Sequence, residues 1–416
     1  MAITYVCGFE CGVLNTARTH INTIAGTPAF STTTVRTGLR SLRLNPSAAA
    51  IGAGYNGLPG SGVYVLRCYI NIASNPTSDA FLCGFTDGGS NYAGLVFKSL
   101  DSKVYAGVSV AGVVTNGLTG ATLAAGWNLV DVRANVSANP WLIDVQIAAV
   151  ALGQHSFVAV AATLNILAFG DFSTAESYDA FYDDVMCANT SGEYPIGGGM
   201  VTAHSPNRDG THTGTGSNFV RGNAGTSIVA GTTDAFNLID EVPMSTAIVT
   251  SDHIAQLTSS PTQYVEVGFA STTTLNAPQA ISLLLSAHKA TTAVGHSRWE
   301  WNDGGTTLAI QTAHNTSGSS AVFFTGRASA SDAQALTSRP AGGAWTSTVF
   351  NALLLRWGYS TDATPDVYWD GAMIEAGFSS TGDGSVPIAL IATGLGSLSL
   401  VGSGMTMWVP MQALGI

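Results

Sequence analysis

The chain has 416 residues, 15 of them basic and 26 acidic, for a formal net charge of −11; only 10% are charged and 46% are hydrophobic. So sparse a positive charge excludes a nucleic-acid binder, which needs a basic footprint, and so much apolar content excludes a disordered polar chain. The 48 glycines fall at irregular intervals, which excludes a collagen-like repeat.

The N-terminus, Met1 to Glu10, has no basic stretch, no long apolar stretch and no small-x-small site, so no signal peptide is expected. No apolar run anywhere is long enough to predict a membrane span. The length fits two or three domains of about 100–200 residues each. Cysteines occur at Cys7, Cys11, Cys68, Cys83 and Cys187. An odd count at irregular spacing argues for buried free thiols in a reducing compartment rather than a disulfide framework. Cys7 and Cys11 are the closest pair, but spacing alone supplies no further ligands for a metal.

Gly52 to Gly57 superficially matches a dinucleotide-binding loop without the strand–helix–strand context that it needs. From residue 63, short alternating segments follow one another. Residues 63–73 (VYVLRCYINIA) place Tyr64, Leu66, Cys68, Ile70 and Ile72 on one apolar face, and Val63, Val65, Arg67, Tyr69 and Asn71 on the other. Further strands are predicted at 80–85, 93–98, 104–110, 127–136, 141–149, 155–162 and 178–187, most of them separated by Gly, Asn, Asp, Ser or Pro. That rhythm is the signature of an all-β sandwich or barrel. Asp87-Gly88-Gly89 and Asn116-Gly117 predict tight turns, because their residues tolerate positive φ. Asp183 and Asp184 are strand neighbours, so their carboxylates are expected on opposite faces and not as a pair flanking one bond.

A turn-rich boundary lies at 189–199. All five cysteines precede it, and six of the eight tryptophans follow it, which two separate cores explain. Beyond it, His204, Asp209 and His212 are candidate metal ligands, although Pro206 and Asp209-Gly210 also spell a turn. Calcium is considered for the Asp87-Gly88-Gly89 and Asp303-Gly304-Gly305 loops, which turn chemistry alone also explains; no other cofactor is expected. Strands are predicted at 264–270, 280–289, 297–302, 307–313, 321–325, 349–359 and 366–378, and a short helix at 332–338. Trp299 and Trp301 share a face; with Trp369 they are candidates for stacking on a sugar, core packing being the alternative. Glu300 has no second acid on its face. Residues 181–187 and 368–374 both run from aromatics through an acidic turn into an apolar strand, as in a repeated domain type. No nucleophile elbow, P-loop or His-Glu-x-x-His motif occurs, so no enzyme is expected.

After Asp383 the chain carries no charge for its last 33 residues. Gly and Ser interrupt this stretch too often for a membrane helix. Left exposed it would promote aggregation. It is expected to be buried in a homo-oligomer, with Leu395, Leu398, Leu400, Met405, Met407 and Trp408 as assembly residues.

Several motifs carry a resemblance. They are Val6-Cys7-Gly8-Phe9-Glu10, the run Gly38-Leu39-Arg40-Ser41-Leu42-Arg43-Leu44, Gly126-Trp127-Asn128-Leu129, and Ala180-Phe181-Tyr182-Asp183-Asp184-Val185. On these, the first 190 residues resemble the concanavalin-A-like (laminin-G-like) jelly-roll modules of tailed-bacteriophage virion proteins. The stretches from Gly197 to Pro206 and from Asn237 to Pro243 extend the likeness more loosely to residue 378. It implies an all-β chain with two β-sandwich jelly-roll domains, 1–190 and 197–380, followed by an uncharged assembly segment, 384–416. It also implies a non-enzymatic structural role in a virion assembled in the host cytoplasm, at the tail tip, in a tail fibre or as a capsid decoration. The expected partners are sister subunits, first as a trimer, and other virion proteins. A host-glycan adhesin is the alternative, and a polysaccharide depolymerase a third reading.

Overall fold

The computed structural model describes residues 3–379, except 13, 15–19, 59–61, 159–162, 214–217, 223–224, 242–251, 258–261, 273–276, 290–294, 317–321, 326–334 and 360–366. The six assembly residues named above lie outside the described residues.

Among the described residues the protein is nearly all β, with four antiparallel sheets. In the first, the strands run Val150–Phe157, Trp141–Ile147, Asn128–Asn135, Val63–Ser74, Asp179–Ala188, Ser41–Leu44, Ala29–Ser31. The strand Ile3–Cys7 pairs with the second half of Asp179–Ala188. The second sheet runs Val113–Ala121, Lys103–Val110, Asn91–Lys98, Ala80–Thr86, Ile166–Ser177, Ser47–Asn56, Thr23–Ala25. Their facing sides form one core, in which Tyr64, Leu66, Cys68 and Ile70 meet Leu82, Phe85 and Leu95. The apolar face read from residues 63–73 is thus the inward face, and all five cysteines are buried and outside any disulfide.

Residues 199–379 form the other two sheets. One is centred on Val367–Ser379, with Gly199–His204, Ile254–Gln256 and Ala280–Lys289 paired to it. The other runs Pro206–Asp209, Tyr264–Phe269, Leu354–Tyr359, Gly295–Asp303, Thr306–Thr316. Their core holds Trp299, Trp301, Trp357 and Trp369. A third apolar cluster joins the two sandwiches: Ile3, Val6, Val65, Met186 and Ala188 from the first meet Val201, Ala280 and Ala335 from the second.

Three local expectations are corrected. Residues 349–359 are not one strand: a helix Ser347–Ala352 precedes the strand Leu354–Tyr359, and the Thr346 side chain caps it by accepting from the Val349 amide. No helix forms at 335–338, where Ala335–Leu336 pairs with Ala280–Lys289 instead; residues 332–334 lie outside the described residues. Asn116-Gly117 makes no hairpin turn but sits inside Val113–Ala121, where the register slips between Asn116 and Gly120. No helix among the described residues is long and apolar enough to cross a membrane.

Candidate functional site

A group of buried charged side chains lies where the two sandwiches meet. Arg67 lies on the outward face of Val63–Ser74, yet it is fully buried because the second sandwich covers it. Its guanidinium donates to the Asp184 carbonyl at 3.2 and 2.9 Å and to the Phe378 carbonyl at 3.4 Å. One side chain thereby ties the central strand of the first sheet to the central strand of the third. Burial lowers its pKa, and the neighbouring Asp184, Tyr69 and Asp131 oppose that. Gly199 is placed so close to the Phe378 carbonyl and the Arg67 guanidinium that any Cβ would collide with both.

Asp183 and Asp184 depart from strand alternation. Asp184 takes a left-handed φ of 53°, and the register shifts between Asp183 and Met186. This bulge turns both carboxylates toward residues 36–37. Asp183 accepts from the Arg36 and Thr37 amides at 2.9 and 3.3 Å. Asp184 accepts from the Thr37 hydroxyl at 2.6 Å, from the Val201 amide and from the Arg36 guanidinium. They work side by side, contrary to the expectation of opposite faces, but on the backbone and on Arg36.

A second group lies farther along the same joint. Glu10 accepts from the Leu39 amide at 2.9 Å, and burial pushes its carboxyl up to about 7. Its own amide donates to Glu375 Oε1 at 3.1 Å. Glu375 Oε2 stands 2.6 Å from His20 Nδ1, and His20 Nε2 lies 3.0 Å from Ser282 Oγ. Ser, His and acid in this order have the layout of a nucleophilic triad. None of the three is more than 1% exposed, so an acyl donor has no approach to the Ser282 hydroxyl. Sequence reading missed His20, Ser282 and Glu375, which lie up to 355 positions apart, farther than any spacing rule reaches.

The residues singled out from sequence fare differently. Trp299, Trp301 and Trp369 are each at most 1% exposed. Trp299 and Trp369 meet edge to face at 5.0 Å, with Trp357 5.8 Å from each. They form the core of the second sandwich and offer no stacking platform to a sugar. His204 does not join a metal set: Nδ1 hydrogen-bonds the Ala270 carbonyl and Nε2 the Thr202 hydroxyl, both at 2.8 Å. Asp209 and His212 do meet, at 3.4 Å. Asp209, however, caps the turn at Ala235 and Phe236, and His212 Nδ1 accepts from the Glu266 amide. In the two Asp-Gly-Gly loops the carboxylates also serve the fold: Asp87 accepts from the Gly89 and Asn91 amides, and Asp303 is gripped by Arg339 Nε and Nη2.

Two buried acids give the fold a pH dependence. Burial, and then the charge of Asp184, pushes Asp183 up to about 9; burial, and then Asp171, does the same to Glu176. Both values are raised, so between the ordinary carboxylate range and about 9 the folded chain holds protons that the unfolded chain has released. Stability is then greatest at acidic pH and falls as pH rises. Urea unfolding is expected to show a chain at least ~2 kcal/mol more stable at about pH 5 than at about pH 9, with Glu176→Gln flattening part of that slope. A profile that rises toward alkaline pH would contradict this assignment.

Neither a protein-family model nor a curated protein matches the chain. Solved structures are similar only at low identity. A protein of unknown function from Shewanella oneidensis MR-1 is 12% identical over 45% of this chain and 84% of its own, with a TM-score of 0.33. Domain 4 of AbnA, a GH43 extracellular arabinanase from Geobacillus stearothermophilus in complex with arabinotriose, is 17% identical over 45% of this chain and 92% of that one, with a TM-score of 0.34. The tandem CBM22 domains of Paenibacillus barcinonensis Xyn10C are 11% identical over 90% of this chain and 97% of that one, with a TM-score of 0.22. Scores this low carry no functional inference.

Proposed function

We propose that the chain is a non-enzymatic structural component of a tailed-phage virion, a part of the tail tip or tail fibre or a decoration of the capsid. The joint carries this reading. Two sandwiches are held at one angle by a buried arginine, a bulged aspartate pair and an apolar cluster. A particle part is loaded mechanically, and fixed angles between modules transmit that load. Asp183 and Asp184, the adjacent acids that a depolymerase reading would draw on, are engaged as staples of this joint. The sequence resemblance of residues 1–190 supports the same reading. So does the uncharged 384–416 segment, since the centres of interfaces are depleted of charge.

The test is to label phage particles with antibodies raised against the recombinant chain and to view them by electron microscopy. Label at a fixed place on head or tail is the expected result. Intact and disrupted particles that both carry no label would overturn the reading.

A further inference from the structure

We propose that Cys7, His20 and Glu375 form a site for a zinc-class transition metal, which clips the second sandwich to the first. The inference does not depend on membership of a virion.

Among the described residues, two groups bring three metal-capable side chains within 4.8 Å of one another: Cys7 with His20 and Glu375, and His253 with His288 and Asp370. Their hydrogen bonding separates them. In the second group His288 Nδ1 hydrogen-bonds both Asp370 oxygens at 2.7 Å, so ring and carboxylate satisfy each other. In the first, His20 Nδ1 and Glu375 Oε2 are 2.6 Å apart and fully buried, yet neither atom has a hydrogen bond of acceptable geometry. A buried donor or acceptor left so costs about 1–3 kcal/mol. Two such atoms converging beside a cysteine sulfur is the arrangement that a shared cation resolves.

The surrounding groups fit that role. His20 presents Nδ1 to the site and holds Ser282 Oγ through Nε2, the outer hydrogen bond that fixes the ring of a metal-ligating histidine. The Tyr5 hydroxyl donates to the His20 carbonyl at 2.8 Å and fixes the backbone there. Glu375 Oε1 is already occupied by the Glu10 amide, which leaves Oε2 to point inward. The Cys7 sulfur already accepts from the Phe9 amide at 3.4 Å. A thiolate, an imidazole and a carboxylate are three of the ligand types of tetrahedral zinc, a set that a water completes. Zinc bonds of about 2.0–2.3 Å put neighbouring donors about 3.3–3.8 Å apart, so Glu375 needs only a small torsional opening. Binding releases the Cys7 thiol proton to solvent and involves no redox step.

The experiment is cobalt(II) titration of the full-length, metal-stripped chain, with metal content of the untreated protein measured by plasma emission. About one zinc per chain is expected, and cobalt should give intense visible bands with thiolate-to-metal charge transfer in the near ultraviolet. Cys7→Ser should lose most of the charge-transfer intensity, whereas Cys68→Ser, in the core of the first sandwich, should keep it. Ser282→Ala leaves all three protein ligands in place and should weaken binding about 10–100-fold. A folded wild-type chain that gives no charge-transfer band with excess cobalt overturns the proposal, as does a band that Cys7→Ser leaves intact. If Cys7→Ser fails to fold, the wild-type titration and the Ser282→Ala shift decide it.

Discussion

Replacing Arg67 by Met should lower the free energy of unfolding by about 3–5 kcal/mol, the usual cost of removing one member of a buried charged group. The substitution keeps most of the volume, so a cavity contributes little. What is lost is the guanidinium's bonds to the Asp184 and Phe378 carbonyls. Asp131, held at 3.1 Å by the Gly197 amide, also loses a nearby positive charge. Because Phe378 belongs to the second sandwich, calorimetry is expected to show one unfolding transition in the wild-type chain and two in Arg67→Met, as the modules uncouple. Asp131→Asn in the same chain should recover part of the loss, since it removes the charge left unbalanced. An unchanged melting temperature in Arg67→Met would mean that the joint is held by its apolar cluster alone.

The second large effect is on assembly. The full-length chain is expected to be an oligomer, and deleting residues 384–416 should leave a monomer with both sandwiches intact, because the last described strand ends at Ser379. Light scattering reads the mass, and far-ultraviolet circular dichroism checks the fold. Fully extended, 33 residues reach on the order of 100 Å, far enough to cross a neighbouring subunit. Leu398→Asp together with Trp408→Asp places two charges in this otherwise uncharged stretch and should disassemble the full chain in the same way. A truncated chain that keeps the full-length subunit count would move the assembly surface onto the sandwiches.

The strands were legible because alternation is local. Tyr64, Leu66, Cys68 and Ile70 point inward as their spacing predicts, and Ala280–Lys289 has the bounds that its apolar run predicts. The helix Ser347–Ala352 escaped because Val349, Phe350 and the leucines after it read as one continuous apolar strand, whereas the Thr346 cap that starts it is a single side-chain bond. Asn116-Gly117 has the composition of a turn but lies within a strand, where the Gly117 backbone runs close against the His155 ring. The joint was illegible for a different reason. Arg67 and Phe378 are 311 positions apart, and His20 and Ser282 are 262 apart; no spacing rule reaches that far. The tryptophans mislead for the same reason, since a pair on one strand face is identical in sequence whether a second sheet or water covers it.

The order in which strands enter the sheets bears on synthesis. Asp179–Ala188 is the last strand of the first sandwich, yet it lies between Val63–Ser74 and the two strands Ser41–Leu44 and Ile3–Cys7. Val367–Ser379 closes the second sandwich in the same manner, between Gly199–His204 and Ala280–Lys289. A nascent chain that has not yet delivered these segments has two open sheet edges waiting for a middle strand, and such edges recruit strands from other chains. Long-range pairing of this kind is slow. Translation speed and chaperone supply, more than the stability of the finished protein, will therefore set the yield of soluble chain.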